Sequence, residues 1–600
     1  MIQIPNKKNL EVWSQPNTSD SIPNIWASKG IDLTSNEGKV RLGKKLLVNT
    51  STSDVAEITS YPAAFKVYGS SKFAIAGASG TGYVFSNGTT YPSAGTFTKV
   101  TASNSPTAVD SRYSDMEISN GNLYVTQASN SVAWTSDGST WGTQFTVGGS
   151  DSTSAHMLTS YAGRTYMSKL SSLILSWDSS NTVATSGQYT LQLGNSDSNV
   201  ITFLRSSSNR IWIGVVNTLG GKGYVYEWDG ASTQVTKSYR LEAQGALSCV
   251  IKDDVPYVMD SNGSLLKWNG GTFVEIGRLN RRRNILLYNP LSTSNQRFIH
   301  PNGMSLVNGK VNINIDGRNY DNTSSQEETI PSGIWEYDPA HGLYHKESFG
   351  LTNSGSSVTD FGQFKIAGAG AISELNMPNN ASNRNGTYLV GATYYTDATT
   401  TTSGIFYNDS NDTFQKAGYF DTYKIYSPNI TETWQTFFYR FRKLLGSGDK
   451  IVVKYRTEEA EPTDITITWS TIGASTSTFT TTDANIANYA IGDEVEGVQG
   501  TGSGRCSHIV SISAPVVGVY TVVVDEVYTG ATGTAKVRLQ KWVKLYYSTY
   551  GSSEVNFSDI SIKASATSTF IQFKVFMTFT GRGELDDLSI QTQSSQSAKS

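Results

Sequence analysis

The chain has 600 residues, too many for one hydrophobic core, so several packing units or a repeated architecture are expected. Only 16% of residues are charged, the formal net charge is -3, and 55 glycines accompany abundant Ser, Thr, Asn and Tyr. This balance fits short strands joined by polar turns, and it offers no broad basic surface for specific nucleic-acid binding or for an anionic membrane.

The opening, Met1-Ile-Gln-Ile-Pro-Asn-Lys-Lys, lacks the apolar core of a secretory signal, and no later run is long enough for a membrane span. The reading is therefore a chain made in a cytoplasm without its own export signal. Residues 1–60 are expected to form an N-terminal arm that can also supply a blade-closing strand.

From about residue 60 a β-rich unit recurs. Each copy ends in an aromatic followed by Asp, Asn or Ser and a turn, as in Tyr83-Val-Phe-Ser-Asn-Gly, Val132-Ala-Trp-Thr-Ser-Asp-Gly, Val225-Tyr-Glu-Trp-Asp-Gly and Leu265-Leu-Lys-Trp-Asn-Gly. The marker aromatics are Phe85, Trp134, Trp177, Trp228, Trp268, Tyr337 and Tyr407. The first five lie roughly 40 to 50 residues apart, the length of one propeller blade, and the last two intervals are about 70. A further short strand precedes each marker, such as Leu123-Tyr-Val-Thr or Ile211-Trp-Ile-Gly. The fold class expected is all-β, with a β-propeller of about seven blades over residues 61–425. Six or eight blades fit if one unit is miscounted.

The sharpest short motif is Thr135-Ser136-Asp137-Gly138-Ser139-Thr140-Trp141. Asp137 is expected to hold a tight turn through backbone hydrogen bonds, Gly138 to relieve strain, and Trp141 to pack beneath. The motif resembles the Asp-box of sialidase-like and related propellers, where it is structural and lies away from the active site. No spacing of Arg, Tyr and carboxylates marks a catalytic set, so the chain is read as non-enzymatic, with no cofactor and no metal site.

Two long inter-strand stretches read as loops available for contact. Tyr320 and Tyr395 are the candidate partner or glycan contacts there, joined by the basic cluster Arg281, Arg282 and Arg283. His341 and His345 make a poor metal pair because Pro339 argues against a helix. Cys249 and Cys506 are expected to be plain buried thiols.

After Tyr426-Ser-Pro the blade signature disappears. Residues 426–466 and 541–591 read as a C-terminal β-sandwich, with Ile571-Gln-Phe-Lys-Val-Phe-Met-Thr-Phe alternating apolar and polar. Residues 467–540 read as an inserted small β-barrel, and 592–600 as a flexible tail. The texture of Asp449-Lys-Ile-Val-Val-Lys-Tyr-Arg, Gly492-Asp-Glu-Val-Glu and Phe570-Ile-Gln-Phe-Lys-Val resembles tailed-bacteriophage tail proteins. That resemblance implies a structural component of a virion tail, assembled in the host cytoplasm in symmetric copies, with other tail proteins as partners. A carbohydrate-binding adhesin that meets a host surface glycan is the alternative.

Overall fold

The computed structural model describes residues 25–29, 31–32, 40–43, 45–48, 58–77, 81–87, 97–112, 114–127, 131–147, 156–169, 172–194, 199–279, 298–317, 330, 332–339, 342–350, 366–374, 388–395, 401–408, 417–422, 425–426, 432–441, 450–457, 463–472, 476–499, 506–525, 533–549, 558–561, 567–568, 570–578 and 584–594. These are nearly all strands and turns, with no α-helix and one 3-10 turn, Ala484–Asn488.

The marker repeat forms seven antiparallel blades, the last two joined into one eight-stranded sheet. Blade 1 runs Ala64–Tyr68, Ser71–Ala76, Tyr83–Asn87 and Thr98–Lys99, and blade 2 runs Met116–Ser119 through Phe145–Thr146. Blade 3 starts at Leu158–Tyr161, blade 4 at Asn199–Ser207, blade 5 at Ala246–Lys252, blade 6 at Met304–Val307 and blade 7 at Ile366–Glu374. The first strand of each sheet lies against the first strand of the next, and that of blade 7 returns to that of blade 1. The sheets thus close a ring of seven with the layout of a β-propeller.

Each gap in the ring is filled by its own core. Phe73, Met116 and Trp141 sit between blades 1 and 2, Tyr124 and Trp177 between 2 and 3, and Ile201 and Trp228 between 3 and 4. Trp212 and Val258 fill the next gap, Met259 and Trp335 the one after. Val390 and Phe406 with Ile334 join blades 6 and 7, and Phe85 with Ile405 joins 7 to 1. A lone sheet could bury only one face; radial stacking lets both faces of the central strands be apolar, as in Arg210–Asn217, where six consecutive residues are buried. In four blades the first two strands meet through pairs of residues with positive φ: Asn120-Gly121, Ala162-Gly163, Asp253-Asp254 and Asn308-Gly309. Such pairs make the mirror-type two-residue turn that matches strand twist.

The ring closes with help from the N-terminus. Lys45–Val48 is the fourth strand of blade 7, antiparallel to Thr401–Asn408, and it also pairs in parallel with Gly342–Gly350 of blade 6. The neighbouring strands Ile25–Lys29, Ile31–Asp32 and Val40–Leu42 instead join the two C-terminal sheets. Ala417–Thr422 does so too, pairing with Phe570–Thr578. Lys45–Val48 thus supplies from the N-terminal segment the blade-closing strand that residues 1–60 were expected to be able to provide, while Ala417–Thr422, inside the span 61–425 expected for the propeller, pairs in the C-terminal sheets.

The C-terminal sandwich-like pair comprises two six-stranded sheets. Lys450–Arg456 and Val543–Thr549 are hydrogen-bonded neighbours in one of them, and the chain between forms a closed barrel of six strands over 463–540. Entry and exit of the insert therefore lie side by side, which leaves the host sheet intact. The barrel core alternates inward along Thr463–Ile472 with Ile465, Ile467 and Trp469, which meet Phe479, Val522 and Val537.

Candidate functional site

The Asp137 turn has the geometry its sequence implies. Asp137 Oδ1 accepts the Ser139 and Thr140 amides at 2.8 and 2.6 Å, and Thr135 Oγ1 accepts the Gly138 amide at 2.9 Å. Gly138 has φ +79, and an added Cβ would lie 3.2 Å from the Phe73 ring of blade 1. Trp141 is buried between the two blades. The Thr140 and Ser139 hydrogen bonds hold the Asp137 carboxyl well below the usual carboxylate range.

The same device recurs in the next three blades, directly after the marker aromatic. Asp178 Oδ1 accepts from Ser180 and Thr182, Asp229 Oδ1 from Ala231 and Ser232, and Asn269 Oδ1 from Gly271 and Thr272. The aromatic-Asx repeat is thus the turn between third and fourth strands, held by side chain to backbone bonds.

Tyr320, Arg281, Arg282 and Arg283 lie outside the described residues. Tyr395 ends the strand Tyr388–Tyr395, opposite Thr401, and its side chain lies outside the described set. His345 is a buried strand residue whose Nε2 faces the Ser332 carbonyl at 3.1 Å, and burial pushes the Cys249 thiol up to about 12.

Two polar centres stand out that residue spacing did not mark. The first lies where the blades converge. Asn302, just before blade 6, donates through Nδ2 to Asp115 Oδ1 of blade 2 at 2.7 Å and to the Ala63 carbonyl of blade 1 at 3.0 Å. Its Oδ1 accepts from Arg205 of blade 4 at 2.6 Å, and its carbonyl accepts the Ile372 amide of blade 7 at 3.0 Å. Beside it, the Pro301 carbonyl accepts from Ser248 of blade 5, and His300 Nε2 meets the Ser111 carbonyl at 3.0 Å. One residue contacting blades 1, 2, 4 and 7 from blade 6 must sit at the ring axis. Burial pushes the Asp115 carboxyl up, opposed by Arg205 and by the Leu158 amide that Oδ2 accepts. The sequence signal was only Pro301-Asn302-Gly303, an ordinary turn signature.

The second centre joins barrel and sandwich. Lys454 Nζ and Glu494 Oε2 pair at 2.8 Å with both side chains 1% exposed. Lys574 approaches Glu494 at 3.9 Å and lies over Trp542, while Arg456 stacks on Trp542 and donates two hydrogen bonds to Gln572 Oε1. His508, paired across the barrel strands with Glu494, has Nδ1 3.4 Å from Asp525. Burial, then the Lys454 charge, lowers the His508 pKa to about 4 against the pull of Asp525 and Glu494.

Among the described residues no group of three or more His, Cys, Asp or Glu is arranged to hold a metal. Among the described residues no helix is long and apolar enough to cross a membrane. No family model and no curated protein matches this chain. Among the solved structures that match this chain, two are similar to it only at low identity and low TM-score. The computationally designed Ika8 protein is 12% identical, with 61% of this chain and 100% of that one covered, at a TM-score of 0.34. Raptor from Chaetomium thermophilum is 9% identical over 62% of this chain and 30% of that chain, at a TM-score of 0.35.

Proposed function

We propose that this chain is a non-enzymatic architectural protein: a rigid ring that carries a C-terminal module for docking to partners. The observation that supports this reading most is the axis itself. A ring of sheets has one place where all blades can present side chains to a common ligand, and here Asn302, Asp115 and Arg205 spend their polar atoms on one another and on backbone. The interleaving of N-terminal strands with both blade 7 and the C-terminal sheets adds support, because it ties ring and module together by backbone pairing.

The setting we propose is a virion tail, in symmetric copies beside other tail proteins, following the sequence texture of residues 430–590. The test is quantitative mass spectrometry of purified virions from lysates in which the chain is made. The expected result is this chain at a fixed stoichiometry to the capsid protein through successive density gradients. Loss of the chain from particles on the second gradient would overturn the setting.

A further inference from the structure

The inserted barrel meets its host sheet through charges rather than through shared strands. Its six strands close on themselves, so its ladder bonds are internal, and it holds a core of its own. In the barrel strands Glu494–Gln499 and Cys506–Ile512, alternation sends Val495 and Ile509 into that core. Their neighbours Glu494 and His508, directly opposite one another, therefore point out of the barrel. Outward residues of a small barrel ordinarily meet water, yet both are buried. The cover is the host sheet, where Lys454 and Lys574 stand opposite one another on adjoining strands and both approach Glu494.

The charges gathered at this junction are Glu494 and Asp525 from the barrel and Lys454 and Lys574 from the sheet. His508 sits among them with Nδ1 3.4 Å from Asp525 and with no hydrogen bond to Nε2 among the described residues. A buried imidazole nitrogen left without a partner is a cost that an apolar residue would avoid. While the barrel is docked, burial and the Lys454 charge oppose a proton on this ring. Once the barrel has left the sheet, the same ring lies at its surface beside Glu494 and Asp525, both of which favour the proton. The released state therefore binds a proton better than the docked one, and by linkage acid shifts the balance toward release.

We propose that the barrel is an acid-released module, docked on the host sheet at neutral pH and freed as a folded unit when His508 takes a proton. Release breaks no backbone ladder. The barrel keeps its closed ring of strands, and Lys450–Arg456 stays paired with Val543–Thr549 where the insert leaves and re-enters. What separates is the Lys454–Glu494 ion pair and the looser Lys574 contact, so the opening is sub-global and reversible. The device is independent of the virion setting.

The experiment labels carboxylates of the full chain with a water-soluble carbodiimide and glycinamide at pH 6.5 and pH 5, read by peptide mass spectrometry. Glu494 is the reporter of release, Glu242 with its side chain 99% exposed is the internal standard, and buried Asp115 at the ring axis reports general unfolding. The Glu494 to Glu242 ratio should rise about tenfold between the two pH values, as the difference between a docked pKa of about 4 and an ordinary 6.5 requires. In His508→Gln, and in His508→Asn as a second neutral replacement, the ratio should stay flat. Asp115 should remain unlabelled, and amide exchange along the barrel strand Thr463–Ile472 should stay slow. A flat ratio in the parent, an equal rise in both variants, or a rise accompanied by Asp115 labelling or by lost protection of Thr463–Ile472 would each overturn the proposal.

Discussion

Acid should loosen the barrel through one side chain. His508 is buried at the barrel–sandwich junction, facing Asp525 on its own hairpin, Glu494 on the adjacent strand and Lys454 from the sandwich. Its pKa in the fold is about 4, against 6.5 for an ordinary imidazole. Because the folded value is the lower one, the group contributes no difference above pH 6.5, where both states hold it neutral. As pH falls through 6.5 the unfolded chain takes a proton that the folded chain refuses, so stability declines until pH reaches about 4. At about 1.4 kcal/mol per unit the full loss is about 3 kcal/mol, of which about 2 kcal/mol falls between pH 7 and 5. Urea denaturation followed by tryptophan fluorescence at those two pH values, in the parent and in His508→Gln, isolates this group from every carboxylate that titrates alongside. The parent should lose about 2 kcal/mol more than the variant over that interval. An identical pH dependence in the two proteins would refute the reasoning.

Other outcomes follow from the same geometry. Asp260 of blade 5 has its carboxyl raised by burial to about 7, so its cost to the fold grows as pH rises from the ordinary carboxylate range through 7. Asp260→Asn, whose Oδ1 can keep the Asn262 and Ser264 amide bonds, should raise the melting temperature at pH 8 and leave it unchanged at pH 4. Glu494→Gln strands the buried Lys454 charge and should cost about 3 to 5 kcal/mol in denaturant titration. Gly138→Ala forces a side chain onto φ +79 and should cost about 1 to 2 kcal/mol, read from the thermal midpoint. Deleting residues 1–48 removes the fourth strand of blade 7 and exposes an open edge, so the truncated chain should aggregate on heating below the parent's midpoint, as light scattering would record.

How far the sequence could be read depended on whether a feature is local. The marker aromatic with its Asx turn is local: Trp228 and Asp229 lie adjacent, and the turn they build needs only the next three residues. The seven-fold repeat, the Asp137 turn and the barrel's alternating strands were therefore legible before the fold was known. Lys45–Val48 is a different case, because its partner Thr401–Asn408 is over three hundred residues away and four apolar-flanked residues carry no mark of which sheet they complete. Ala417–Thr422 fell within the span read as propeller for the same reason, since its partner Phe570–Thr578 is about 150 residues further along the chain. The axis cluster was hidden more deeply. Asn302, Asp115 and Arg205 are unremarkable polar residues until ring closure brings them within 2.7 Å of one another through Asn302. The junction ion pair likewise joins Lys454 and Glu494 only because the barrel leaves and re-enters neighbouring strands.

Strand-resolution electron cryomicroscopy of gently purified native particles tests the architectural account most directly. The account predicts this chain in a symmetric ring or set of spokes on the particle, with Asn302 bridging the blades at a filled ring axis. A chain found free of any particle, or a ring whose axis is open and lined by unpaired Asp115 and Arg205, would contradict it.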